Sequence, residues 1–245
     1  MSVLTLRLAG PLQAWGASAR FVRRTTESAP TKSGVIGMLA AAKGIDRGDE
    51  ENLRPLAALR FGVRIDQPGT RLRDFQTAHH KATGKSMPLS ERFYLADAVF
   101  VAAVEGEPGL LADLCAALRA PVYAPFLGRR SCPPARPVDL GLHHDLNLLQ
   151  ALAQEPWQAS AWYRRQHRQQ PTVTLPVLHE ADTKDTDTDL LRDQPVSFAA
   201  EYRRHSLRTV VRKELAIRNS SAAPRHTATT GIRHDPFAAL EEESA

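Results

Sequence analysis

The 245 residues carry 32 Lys and Arg against 27 Asp and Glu, a net charge of +5 with a pI near 9.5. Two cysteines exclude a disulfide framework and a cysteine metal cage, which fits a reducing cytoplasm. No apolar run approaches the roughly 18 residues of a membrane helix, and the N-terminus lacks the pattern of a secretory signal, so no membrane partner and no cofactor is expected.

In chain order, Leu4, Leu6 and Leu8 alternate with Thr5 and Arg7, the period of two of a half-buried strand, which Gly10-Pro11 ends. Thr31 or Ser33 is placed to cap a helix through Val35, Ile36, Met38 and Leu39 to Lys43, with Gly44 at the position that takes positive φ. Residues 59–65 alternate strictly and give the cleanest strand. Residues 66–91 form a polar excursion with no strong period. At that length such a segment inside a domain is functional or disordered. Residues 92–104 resume as one strand, residues 109–119 as a helix with one apolar face, and residues 121–124 as a short fourth strand.

This order, βαββαβ over residues 2–125, predicts an α+β protein whose N-terminal domain, residues 1–132, is ferredoxin-like, the RRM-like split unit. Its right-handed crossovers put both helices on one face of the sheet. Pro133-Pro134 and Pro137 mark a change of character. A smaller, mainly antiparallel β unit is expected over residues 133–218. It would have a short helix or turn over 140–152 and strands over 172–178 and 196–211 that bracket an acidic loop, 180–193. The Ser, Ala and Thr-rich residues 219–245 read as a flexible tail.

Arginines cluster at Arg20/Arg23/Arg24, Arg71/Arg73, Arg129/Arg130, Arg164/Arg165/Arg168 and Arg203/Arg204/Arg208/Arg212. One such cluster is an ordinary solvated face. Five together point to a polyanion, since the guanidinium fork matches phosphate. Trp15 either stacks a base or plugs the core. Phe93 and Phe100 are an odd number of residues apart, so one unbulged strand would put them on opposite faces, a poor stacking platform. Three lookalikes fail on spacing. Gly84-Lys85-Ser86 has His79 where a phosphate loop needs Gly. Asp185, Asp187 and Asp189 are followed by Leu190 and Val196 where a calcium loop needs Gly and Glu. His143-His144-Asp145 has no further ligand at metal spacing.

Three motifs resemble one family: Leu6-Arg7-Leu8-Ala9-Gly10-Pro11-Leu12-Gln13-Ala14-Trp15-Gly16, Pro30-Thr31-Lys32-Ser33-Gly34 and Leu127-Gly128-Arg129-Arg130-Ser131-Cys132-Pro133. In this order they are similar to the CasD family of type I-E CRISPR Cascade subunits, in the repeat-associated RNA-binding superfamily. The likeness runs into Arg192-Asp193-Gln194-Pro195-Val196 and covers about residues 2–218. It implies a noncatalytic subunit that binds the 5′ handle of the crRNA and caps the backbone of a surveillance complex in antiviral defence. It also implies a thumb hairpin at 66–91, the Cascade backbone subunit and large subunit as partners, and target DNA reached through the complex.

The candidate RNA contacts are then Arg20, Arg23, Arg24, Lys32 and Ser33 beside a helix N-terminus, Arg71 and Arg73 on the excursion, and Phe126, Leu127, Gly128, Arg129, Arg130 and Ser131 after the fourth strand. Gly128 would let the backbone approach a ligand. The alternative is a metal-independent endoribonuclease of CRISPR repeat RNA, with His79 or His80 as base and Lys81 holding phosphorane charge.

Overall fold

The computed structural model describes residues 1–16 and 23–222, so Arg20 and residues 223–245 of the expected tail lie outside the described residues. The elements run β1 (Ser2–Ala9), β2 (Leu12–Gln13), β3 (Arg23–Arg24), α1 (Lys32–Lys43), α2 (Glu50–Ala57), β4 (Arg60–Gln67), β5 (Thr70–Gln76), β6 (Ser90–Ala96) and β7 (Val99–Gly106). They continue as α3 (Pro108–Arg119), β8 (Asp139–His144), α4 (Leu148–Gln154), α5 (Ala161–Gln166), β9 (Thr172–Glu180), β10 (Asp189–Ser197) and β11 (Arg204–Arg218). The fold is mixed α+β. An antiparallel seven-stranded sheet is ordered β10-β11-β9-β4-β7-β1-β8, and a small second sheet joins β2, β3, β5 and β6.

Leu4, Leu6 and Leu8 of β1, Phe61 and Val63 of β4, and Phe100, Ala102 and Val104 of β7 meet Val35, Ile36 and Leu39 of α1 and Leu111 and Leu114 of α3. The alternate residues, Val3, Val101, Ala103 and Val177, meet Leu148, Ala151 and Leu152 of α4 on the opposite face. Every residue of β7 is buried, as a strand covered on both faces requires. Thr31 caps α1 through the N–H of Gly34, and Gly44 closes it at φ +77°, as the sequence predicts.

Four expectations need correction. Residues 121–124 form no strand. The N–H groups of Val122 and Tyr123 donate to the carbonyls of Ala42 and Ala41, satisfying the end of α1. The strand beside β1 is instead β8, in the segment read as helix or turn; it pairs Ser2 with His144, and only then does α4 start, in an Asn147–Gln150 capping box. The strand expected over 92–104 is broken at Asp97, whose φ of +56° turns β6 out of the main sheet and separates it from β7. Phe93 and Phe100 are therefore on different strands. Residues 196–211 likewise split at a turn between β10 and β11, and β10 takes up much of the expected acidic loop. The short α2, with Pro55 inside it, had no signal strong enough to predict. The main sheet also continues from β1 to β11 through both units that composition separates.

Two buried ionic sets tie distant segments together. Arg64 and Asp66 pair at 2.7 Å with both side chains fully buried. The same guanidinium donates to the carbonyls of Leu152, Glu155 and Pro156, so every charge is met. The second set lies at the start of α1. Asp193 accepts from the Lys32 backbone N–H at 2.8 Å and takes both arms of Arg208 at 2.8 Å. Lys32 Nζ meets Glu180 at 2.7 Å. Burial pulls the Lys32 ammonium below its ordinary value, an effect that Glu180 opposes.

Removing one member strands a buried charge. Asp193→Ala is expected to cost about 3–5 kcal/mol, read as a lower urea midpoint at an unchanged slope.

Candidate nucleic-acid interface

A groove of about 1230 Å³ opens between the first turns of α1, the loop after α3, the base of the β5–β6 hairpin and the turn between β10 and β11. The floor is made of small residues of α1, among them Gly34, Gly37, Ala40 and Ala41. A Cβ at Gly34 would come within 2.8 Å of Trp15, and one at Gly37 within 3.7 Å of the Phe198 ring. Trp15 is fully buried, and its Nε1 donates to Gln13 at 3.0 Å. It is a core plug beneath the groove, not a stacking surface.

The loop at 126–132 is held by backbone bonds on both sides. The Ala14 N–H donates to the Leu127 carbonyl, and the Leu127 N–H to that of Cys132. Leu127 is buried in the core. Gly128 has φ +81°, and a Cβ there would lie 1.8 Å from the Ala14 carbonyl oxygen. The close approach that glycine permits is to the chain's own backbone at Ala14, and Gly128 also lines the groove. Phe126, Arg129, Arg130 and Ser131 line the groove beside it.

Arg129 donates to the Arg24 carbonyl at 2.9 Å and lies 4.7 Å over the Tyr94 ring. Arg24 in turn is registered against Arg92 in the β3–β6 pair. Across the groove Arg203 lies 6.0 Å from the Phe198 ring. Burial, and then the positive charge of Arg47, hold the Arg203 guanidinium below the usual arginine value. Six arginines, Arg24, Arg47, Arg92, Arg129, Arg130 and Arg203, thus line one groove, with Asp46 as the only lining carboxylate among the described residues.

Among the described residues none of these six has a carboxylate within 4.0 Å. Elsewhere Arg60, Arg64, Arg73, Arg119, Arg208 and Arg212 all do. Concentrated, unneutralised guanidinium charge in a concave wall attracts an extended anion.

The other candidates are placed differently. Lys32 is buried, its ammonium committed to Glu180, while Ser33, though largely buried, lines the groove. The helix N-terminus expected to meet a phosphate already holds the Asp193 carboxylate. Arg23 is exposed, 3.9 Å from Glu91 and over the Phe93 ring. The excursion is a β-hairpin, paired from Thr70–Ala96 to Gln76–Ser90. Arg71 donates to the Thr26 carbonyl, and Arg73 pairs with Glu91 at 2.8 Å. His79, His80 and Lys81 stand exposed at the hairpin tip and none of them lines the groove. His79 Nδ1 is 3.2 Å from the Gly84 carbonyl.

Arg47, Arg92 and Arg203 are groove residues that sequence reasoning missed. Arg203 belonged to a visible cluster. Arg92 was hidden as a strand residue, and Arg47 carried no local signal.

Fold and groove together make a mixed α+β protein whose most basic groove is rich in unneutralised arginine. A model of the family described as CRISPR-associated protein (Cas_Cas5) matches residues 3–211, and the chain belongs to that family. It is 40% identical over 158 residues, 57% of this chain and 70% of the other, to the Escherichia coli (strain K12) protein named CRISPR system Cascade subunit CasD. It is similar to a chain in a CRISPR RNA-guided surveillance complex, with a TM-score of 0.71 and 32% identity over 92% of this chain and 95% of that one. A crystal structure of a Cas protein is similar at a TM-score of 0.66 and 35% identity, over 90% of this chain and 97% of that one. No helix among the described residues is long and apolar enough to cross a membrane.

Gly128→Ala is expected to lower stability by about 3 kcal/mol or more, because positive φ and a backbone clash coincide. Gly84→Ala, at φ +66° with open space around it, should cost only about 1–2 kcal/mol. Chemical denaturation of both variants checks the difference.

Proposed function

We propose that the chain is a noncatalytic subunit of a Cascade-type, RNA-guided surveillance complex that holds the 5′ handle of the crRNA in the arginine-lined groove and caps the complex's backbone. The observation that carries this reading is the set of six arginines without carboxylate partners around one groove. The relatives' names support it, one being a Cascade subunit and another a chain of a surveillance complex. The four strands ordered β8-β1-β7-β4, with α1 and α3 on one face, are read as the ferredoxin-like, RRM-like unit. The β5–β6 hairpin is read as the thumb.

The chemistry is a grip. Arg24, Arg92 and Arg129 form one bank of donors, and Arg47 and Arg203 form the other. A strand lying between them gives up its counterions to fixed guanidinium groups. The backbone is held by charge and shape, while bases stay free to be splayed on the rim, where Tyr123 and Phe126 line the groove. Arg23, Arg71 and Arg73 buttress the base of the thumb, which parts the handle from the spacer. The backbone subunit, the large subunit and, through the complex, target DNA are the partners in this reading. The complex works in antiviral defence inside the cell.

No cutting is expected, because His79, His80 and Lys81 stand at the hairpin tip, outside the groove that would hold the RNA. Labelled CRISPR repeat RNA and a scrambled control, incubated with the protein in chelator, should shift on native gels and stay whole on denaturing gels. A discrete cut lost in His79→Ala or His80→Ala would make the protein a repeat-RNA endoribonuclease instead.

Arg129→Ala with Arg130→Ala should weaken repeat binding by about tenfold or more, and Arg92→Ala with Arg203→Ala by a similar factor. If about five phosphates are neutralised, affinity should fall about a hundredfold between 50 and 200 mM salt. A flat salt dependence rejects the grip.

A further inference from the structure

The face of the main sheet opposite α1 and α3 carries a second cavity, of about 680 Å³, between the ends of β1 and β7 and the segment 156–161. Arg7 reaches it because it alternates with Leu6 and Leu8, which point to the other face. Its guanidinium donates to Gln158 and to the Pro137 carbonyl, both at 3.3 Å. Arg136 and Arg164 line the same cavity, and among the described residues Asp97 is the only lining carboxylate.

Asp97 is already engaged, accepting from Trp162 Nε1 at 2.8 Å. No carboxylate among the described residues lies within 4.0 Å of Arg7, Arg136 or Arg164. The Nε of Arg7 and the Nε of Arg164 have no acceptor at all. Trp162 follows the lining residue Ala161 and is 43% exposed, its ring tied to the lining Asp97 by that hydrogen bond and set edge-on to Tyr163.

We propose that this cavity is a second site, for single-stranded nucleic acid, in which Arg7, Arg136 and Arg164 take a backbone phosphate and Trp162 stacks the adjoining base. Neutralising guanidinium groups beside an exposed aromatic face is the chemistry of sequence-tolerant single-strand binding. A carboxylate peptide would use the cations but leave the ring without a partner. The two sites lie on opposite faces of one sheet, so two separate strands fit at once. The inference does not rest on what occupies the first groove.

The test uses the full chain saturated with unlabelled repeat RNA and a fluorescent oligodeoxythymidylate of about a dozen residues, followed by anisotropy in about 50 mM salt. The labelled strand should bind in the presence of the RNA. Arg136→Ala with Arg164→Ala should weaken it about tenfold while repeat RNA affinity stays within about twofold, and Trp162→Ala should weaken it by a similar factor. Arg7→Gln repeats the test from the sheet itself. Arg129→Ala with Arg130→Ala should leave this binding intact, so failure of the groove reading and failure of this one are separable. Oligouridylate in place of oligodeoxythymidylate tells which sugar the site accepts, and binding of either supports it. Displacement of the labelled strand by repeat RNA, no loss in the Arg136/Arg164 variant, or tighter binding of polyglutamate than of either oligonucleotide would overturn it.

Discussion

The Asp193 carboxylate is the constraint from which the arrangement follows. It accepts the first N–H of α1 and holds Arg208 by both arms, while Glu180 neutralises Lys32 one step away. Helix, β9, β10 and β11 are joined there by charges that have left water, and the desolvation cost is met only because each group has its partner. The join sets where α1 begins, and so where its small residues form a floor. It also means that the positive end of the helix is satisfied internally. Anion binding in the groove then falls to side chains that stand on other segments.

The arginines of the chain come in two populations. Arg60, Arg64 and Arg208 are structural, each paired with carboxylates, and Arg64 and Arg208 are withdrawn from solvent. Arg129 and Arg203 are oriented by weaker contacts, a carbonyl or an aromatic face, which leave the charge uncompensated. Formal charge alone does not separate the two sets. What separates them is whether an acidic residue from elsewhere in the chain arrives beside them.

That difference explains what was legible in the sequence. The strand at Leu4–Leu8, the caps of α1 and the apolar face of α3 are local signals, carried by period and by one or two cap residues. The mixed α+β character and the family follow from them and from the three motifs. The partner of β1 was not legible, because β8 offers only Leu140 and Leu142 between polar residues and is defined by the open edge it pairs with. The break at Asp97 was hidden since a single residue in positive φ leaves no periodic trace. The burial of Lys32 depended on Glu180, far along the chain, so a lysine beside a helix start read as a free cation. Arg47, Arg92 and Arg203 share one groove only after the sheet has formed.

The position of β1 has a consequence for synthesis. Its edges pair with β7, Ser2 against Gly106, and with β8, Ser2 against His144. Within this chain β1 is therefore a leucine-rich segment made before either of its neighbours. Both contacts close long loops, which makes folding slow. Until residue 144 has been made, one edge of that strand stays open to pairing with any other chain.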